Sequence, residues 1–388
     1  MWETTKLAYL SEVKNIHVCL VTISLGTGGA QRVVAAHSQM FAALGYRVTT
    51  AVLRDPIDYA YDGELLHLGG KNPEQKSRPS ASKVAPVARH KETRPWQRIW
   101  RLYRFIADQK PDVIIDHRAR TNLLKEWVYR KLVYRDTRVI YVCHSAHAPI
   151  YLTNKPAFFA RLTARYSEHV GVSKYMTQTL MPQYGFTGVK HIPNFVSQAW
   201  LSQEKMESSV KNSYLLWFGR LDDSVKDVSF LLEAFAQSKV STQGHKLVIL
   251  GSGPDAEQLK QRSKALKIES SVVFTTFDPN PQALIAGAKC VCLTSYYEGF
   301  PMALLESLSL GTPVISLDII SGPYELIQNG QNGLLVGERN SRIFGQAMDT
   351  LCLDEAFYKR LKANAQSSVS AYGAEQVTQQ WKQLIEHE

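Results

Sequence analysis

Glu298 and Glu306 stand eight residues apart in the stretch YYEGFPMALLESL, residues 296–308. Glu298 precedes a Gly299-Phe300-Pro301 turn, and Glu306 falls inside the apolar, helix-like run from Met302 to Leu310. The spacing predicts one carboxylate at the mouth of a helix and a second about two turns along it. A carboxylate accepts hydrogen bonds from two hydroxyls well, so a ribose suits Glu306. The helix mouth suits a phosphate, because its amides are unpaired and the dipole favours negative charge. Pro301 fits the first turn, where its missing N–H is not needed. Glu298 then lies on the far side of that phosphate, toward whatever group is attached to it. Arg220, at the end of the strand-like YLLWFGRL, and Lys226, six residues on, are two cations able to hold a diphosphate. Taken alone, the pair also reads as two solvated charges.

These residues need a scaffold that brings strand ends together, and the chain supplies one. Short apolar runs at 16–24, 46–53, 111–117, 138–145, 167–173 and 189–194 alternate with helical stretches at 30–44 and around 123–132. A polar segment, 197–213, follows. The alternation then restarts with strand-like 214–221, helical 227–238, strand-like 245–254 and strand-like 271–277. Apolar strands alternating with helices imply a parallel sheet covered on both faces. We expect two Rossmann-like α/β domains: 1–196, 197–370, and a C-terminal helix, 371–388, that packs back on the body of the protein toward the first domain. In open sheets of this kind, strand C-termini point into the ligand crevice.

Two glycine-rich turns end strands. GTGGAQR (26–32) opens a helix whose free amides can meet an anion, and GSGP (251–254) lets a ligand approach the backbone at Gly251 and Gly253. Neither matches the dinucleotide fingerprint, because the third glycine position is Gln31.

Composition narrows the setting. The 388 residues are 45% hydrophobic, enough for sizeable cores. Five scattered cysteines without a CxxC pair read as core thiols in a reducing compartment. The N-terminal residues are too polar for a signal peptide, and the first apolar run is too short to span a bilayer, so a cytoplasmic protein is expected. The net charge of +10 suits nucleic acid, acidic substrates or an anionic membrane. Much of it lies between Lys71 and Arg104, where Trp96 and Trp100 stand among Arg98, Arg101 and Arg104 as in an interfacial amphipathic helix. A solvated loop is the other reading of that run. No nucleic-acid-binding signature accompanies it, so no nucleic-acid partner is expected.

The series GTGGAQRVV, VSKYM, IPNFV, FGRL with Lys226, GSGP, EGFPMALLE and SGPYELIQNGQNGLLV resembles, in order and over nearly the whole chain, the retaining glycosyltransferases of glycosyltransferase family 4, with the GT-B fold. The wording is similar to that of bacterial lipopolysaccharide, capsule and other surface-polysaccharide enzymes. The resemblance implies that Glu306 binds the ribose of a nucleotide-sugar donor and Glu298 the donor sugar. It implies that Arg220 and Lys226 hold the diphosphate, helped by amides near Gly299, Phe300, Pro301 and Met302. Gly28 and Gly29 form the opposing loop, and His144 approaches the sugar's C6 hydroxyl, with His147 and His117 as rivals. The base lies near GSGP and Phe277. No cofactor and no metal are implied, and the chain has no D-x-D sequence. The expected reaction moves a hexose, from a UDP-sugar rather than a GDP-sugar, to a glycan or lipid-linked glycan at the inner face of a membrane, touched through residues 71–104.

One departure bears on Lys226. The family often has Lys-Gly there, and this chain has Lys226-Asp227, which sets an acid beside the expected diphosphate. The alternatives are a GT-B epimerase or phosphorylase, or a basic membrane-surface or nucleic-acid-binding protein.

Overall fold

The computed structural model describes residues 15–26, 28–70, 93–201 and 213–386. Seven strands form a first parallel sheet: β1 (His17–Thr22), β2 (Arg47–Val52), β3 (Glu64–His67), β4 (Val113–Asp116), β5 (Arg138–Cys143), β6 (Ser167–Gly171) and β7 (Lys190–His191). Their order is β3-β2-β1-β4-β5-β6-β7. Six more form a second: β8 (Tyr214–Arg220), β9 (Lys246–Ser252), β10 (Val272–Thr275), β11 (Cys290–Leu293), β12 (Val314–Leu317) and β13 (Gly333–Val336), in the order β10-β9-β8-β11-β12-β13. Every pairing between these strands is parallel. The central strands read as continuous apolar runs because helices cover both faces: HVCLVT, CVCL and VISL are buried throughout. All five cysteines are free and buried in this framework. The short β3 was not legible as a strand, and β7 is two residues where a longer run was expected.

The strand order reverses direction beside β1 and β4 in the first sheet, and beside β8 and β11 in the second. A crevice opens at such a reversal, because successive connections leave toward opposite faces. Both crevices face one another. The contacts that hold them come from motifs whose work the sequence left open. Ser173 of VSKYM meets Ser321 of SGPYELI, Oγ to Oγ, at 2.9 Å, and Ser321 donates on to the carbonyl of Gly299. The amide of Lys174 donates to both carboxylate oxygens of Glu325 at 3.0 and 3.1 Å. Asn194 of IPNFV donates to the carbonyl of Phe300 at 3.2 Å. The C-terminal helix Ala374–Glu386 lies on the first sheet's unit: Trp381 packs edge-on to His37 and Phe41, and Arg138 donates to the last carbonyls of the helix.

Behind the first crevice lies a buried ionic cluster. Arg118 binds Asp116 at 2.7 Å and Glu126 at 2.8 Å, and lies over the Tyr129 ring. Arg120 donates to the carbonyls of Asp116, Arg118, Val142 and Tyr151, stapling the loops after β4 and β5 together. Burial opposes the charge on Asp116, but Arg118 and Arg120 outweigh it and hold the carboxyl below its ordinary value. Two cations against two anions keep the cluster neutral, as low-dielectric surroundings require.

Arg118→Ala leaves Asp116 and Glu126 buried without the guanidinium between them. We expect it to cost about 3–5 kcal/mol of stability in urea unfolding at pH 7. A loss below about 1 kcal/mol would show that the cluster is not needed for folding.

Candidate active site between the two sheets

A cavity of about 350 Å³ lies between the two crevices, the size of a small-ligand site. Its floor is β8, β11 and the turn after β11. Its roof is the turn after β1 and the end of β5.

The second sheet brings Lys226, Arg220 and Glu298 together as the strand-end argument requires. Lys226 Nζ donates to Glu298 at 2.6 Å, and Ser295 Oγ donates to the same oxygen at 2.7 Å. Arg220 reaches Asp222 at 2.8 Å but is half exposed, so its guanidinium is free to turn. Asp227 does not crowd them. Its carboxylate caps the helix Val228–Gln237 by accepting from the Phe230 amide and pairs with Arg339 at 2.6 Å. Its φ of 48° is a left-handed conformation, the one glycine takes most easily. The acid after Lys226 is thus a helix cap turned away from the cation.

The turn Gly299-Phe300-Pro301 leads into the helix Met302–Ser309, with Pro301 at the N-cap and not the first helical residue. Gly299, Phe300, Pro301 and Met302 all line the cavity. Gly299 approaches the first sheet so closely that a Cβ would stand 2.2 Å from the His144 carbonyl. The neighbouring amide of Ala146 donates to the Glu298 carbonyl at 3.0 Å.

Glu306 is 2% exposed, so it is no surface charge. Its partner is Arg32, from the opposite unit, whose Nε lies 3.1 Å from Oε1. The N–H does not point at the oxygen, and among the described residues Oε1 has no hydrogen bond. Burial raises the Glu306 carboxyl above its ordinary value, with Arg32 pulling the other way. Arg32 was missed in the sequence, where GTGGAQR read as a backbone anion loop. The available signal was its place: a cation in the first turn of the helix Gly29–Ala43 sits at the wrong end of the dipole and needs an acid opposite.

Gly28 and Gly29 line the cavity, with Gly29 against Met302. Phe277 lines it too, edge-on to Tyr59. Gly251 and Gly253 do not, although their neighbours Leu250 and Ser252 do. A Cβ at Gly251 would fall 1.9 Å from the Gly219 carbonyl, and one at Gly253 would fall 2.1 Å from that of Leu221. Those glycines let β8 and β9 end side by side.

The histidine alternatives separate. His144 lines the cavity; His117 lies buried behind it, with Nδ1 2.9 Å from His144 Nε2; His147 stacks on Tyr297 at the rim. Behind His117 lies His37, held among Phe41, Phe195 and Trp381. Burial pushes His37 and His144 down to about 3, with like charges adding to the effect, and His117 well below its ordinary value. His169, apart from the cavity and stacked on Tyr141, is likewise pushed down to about 3 by burial.

An unfolded chain takes up protons on these rings near pH 6.5, while the folded protein resists down to about 3. The unfolded state binds more protons in that window, so stability is complete above pH 6.5 and falls as pH drops. His169→Phe, which removes one such ring away from the cavity, is expected to reduce the stability lost between pH 7.5 and pH 5 by about 1–2 kcal/mol. Urea midpoints at the two pH values test this; an unchanged pH dependence would mean that His169 titrates normally.

Two families match the chain in succession: Glycosyltransferase Family 4 over residues 27–200 and Glycosyl transferases group 1 over residues 199–368. The chain is 28% identical, over 76% of its length and 80% of the relative's, to a Campylobacter jejuni α-1,4-N-acetyl-D-galactosaminyltransferase named for a GalNAc-containing, diphospho-undecaprenol-linked acceptor. It is 38% identical to the lipopolysaccharide 1,6-galactosyltransferase of Salmonella typhimurium, over 32% of this chain and only 35% of that enzyme. In fold it resembles Staphylococcus aureus TarM, solved with UDP, at a TM-score of 0.75, 12% identity, and coverage of 96% of this chain and 99% of that one. It also resembles Anabaena HepE, solved with UDP-glucose, at 0.73, 18% identity, and coverage of 95% and 99%. Two parallel Rossmann-like sheets closing on a shared cavity, with both family matches laid end to end, place this chain among the GT-B glycosyltransferases, as a family 4 domain followed by a group 1 domain.

Proposed function

We propose that the protein is a retaining, metal-independent hexosyltransferase of bacterial surface-polysaccharide synthesis, using a UDP-sugar and a glycan or lipid-linked glycan acceptor. The observation that carries this reading is the convergence of Arg220, Lys226, Glu298, Glu306 and the mouth of the helix Met302–Ser309 on one cavity. The names of the relatives favour a surface glycan, and UDP or UDP-glucose accompanies two of the solved structures of like fold.

When the sugar leaves, negative charge grows on the diphosphate and positive charge on the sugar. In this reading Lys226, the amides at the helix mouth and an Arg220 guanidinium turned inward meet the former, which is worth most in a site that excludes water. Lys226 is already held by Glu298, so an arriving phosphate shares the ammonium and leaves the carboxylate facing the sugar. Glu306 takes the ribose hydroxyls, and His144, kept neutral by burial, faces the sugar from the roof. In the retaining reading the acceptor hydroxyl attacks from the face the diphosphate leaves, and a donor phosphate oxygen takes its proton.

The acceptor's carrier is proposed to lie against the first unit. Residues 71–92 of the expected basic segment fall outside the described residues. Trp96 and Trp100, on the helix Pro95–Gln109, are 61% and 52% exposed, and Leu124, Trp127 and Phe158 are exposed too. Arg104, Lys125, Lys155 and Arg161 lie against aromatic rings of the same helices. Aromatic residues mixed with cations suit an anionic bilayer interface. Trp96→Ser with Trp100→Ser is expected to abolish co-sedimentation with anionic vesicles at low salt and to spare transfer to a soluble acceptor. If the wild type ignores such vesicles, the membrane reading fails.

A melting-temperature screen with UDP, GDP, ADP and their common sugar conjugates, with and without EDTA, tests the donor. A ligand bound only by the folded state raises the melting temperature by mass action. We expect a shift with UDP that EDTA leaves unchanged. Arg220→Ala should weaken UDP binding more than Glu306→Ala does, about tenfold or more, whereas Glu298→Gln should leave UDP affinity within about threefold and lower kcat about a hundredfold. Equal loss of UDP affinity in all three would contradict these roles. Nucleotide release that needs a glycan acceptor would exclude a phosphorylase or epimerase.

A further inference from the structure

Among the described residues, Arg32 is the group of the first unit that pairs with the deep carboxylate of the second. Its guanidinium is fixed from several sides: Glu306 at 3.1 Å, the Pro279 carbonyl at 3.3 Å, the Tyr59 ring at 4.7 Å and the Trp200 ring at 5.6 Å. Those partners come from both sheets' units and from the short helix Gln198–Leu201 between them. The Arg32 side chain is 15% exposed and that of Glu306 is 2% exposed. A carboxylate this deep needs a counter-charge to stay ionised. Its Oε1 is close enough to Arg32 for an ion pair yet holds no hydrogen bond among the described residues, so its capacity to accept from a hydroxyl is retained.

We infer that Arg32 is a positioning residue for the donor, holding Glu306 ionised and oriented to accept the nucleotide's ribose hydroxyls, so that ribose recognition is completed only when the first unit closes over the second. This rests on Glu306 being the ribose acceptor. Arg32 itself lies on neither the diphosphate nor the sugar in this reading, and its removal is felt through Glu306 alone. That separates it from Arg220 and Lys226, whose loss weakens any diphosphate whatever its sugar.

The test compares UDP with 2′,3′-dideoxy-UDP by calorimetry on the wild type, Arg32→Ala, Arg32→Lys, Glu306→Ala and the Arg32→Ala/Glu306→Ala double variant. We expect Arg32→Ala to weaken UDP about tenfold and the dideoxy nucleotide less than twofold. Arg32→Lys, which keeps the charge and loses the fork, should recover about half of that loss. The double variant should bind UDP no more weakly than Glu306→Ala. Equal weakening of both nucleotides, or additive losses in the double variant, would overturn the role of Arg32 and leave the donor reading standing. A wild type that does not prefer UDP over the dideoxy form would remove the ribose role of Glu306, and Arg32's role with it. Should Arg32→Ala fail to fold, the ratio of the two nucleotides' affinities in Arg32→Lys decides in the same way.

Discussion

The molecule turns on how closely residues 298–300 approach the end of β5. One backbone hydrogen bond, from Ala146 to the Glu298 carbonyl, joins the two sheets' units at that point, and Gly299 has no room for a Cβ against the His144 carbonyl. Hydrogen bonds between main-chain groups have little lateral freedom, so this contact fixes where the mouth of the helix Met302–Ser309 stands relative to the first sheet. Ser173 with Ser321, Lys174 with Glu325 and Asn194 with Phe300 add to it along one seam. The motifs at these positions, VSKYM, IPNFV and SGPYELI, are therefore the joint that sets the cavity's width. The charged residues do their work within that width.

Each cation that lines the cavity has an acid beside it: Lys226 with Glu298, Arg220 with Asp222, Arg32 with Glu306. Buried or half-buried ions persist only when so paired, since unpaired they shift their protonation or unfold the site. In the proposed reading a diphosphate shares the Lys226 ammonium with Glu298, the carboxylate proposed for the sugar, so one cation would couple the two sites. Asp227 pairs with Arg339 instead, and among the described residues the acid on the Lys226 ammonium is Glu298.

The alternation of strands and helices was legible because parallel strands buried on both faces leave uninterrupted apolar runs, and the strand-end rule then located Arg220, Lys226, Glu298 and the 299–302 turn. Glu306 was legible as a deep carboxylate from the leucines around it. Arg32 was not legible, because it depends on a partner far away in sequence, Glu306, and His144 stood first among three histidines through the family resemblance and not through the residues around it. Gly251 and Gly253 stand outside the cavity lining for a related reason. A glycine after a strand signals close approach of something, and here the something is the neighbouring strand's carbonyl. β3 went unread because four half-buried residues carry too short a pattern to separate from a loop.

The roof of the cavity is built on a harder base than its floor. Arg120 staples the loops after β4 and β5 through four carbonyls, and the Asp116–Arg118–Glu126 cluster anchors the start of that loop. The rings of His37 and His117 fill the space between this base and His144 with groups that burial keeps neutral. A roof loop that bent on ligand binding would expose or separate these buried charges, at a cost of several kcal/mol. Movement of one unit on the other would therefore carry this roof as one piece. The cluster's residues lie outside the cavity lining, and through the bonds of Arg120 to the Val142 and Tyr151 carbonyls they hold the strand end that carries His144.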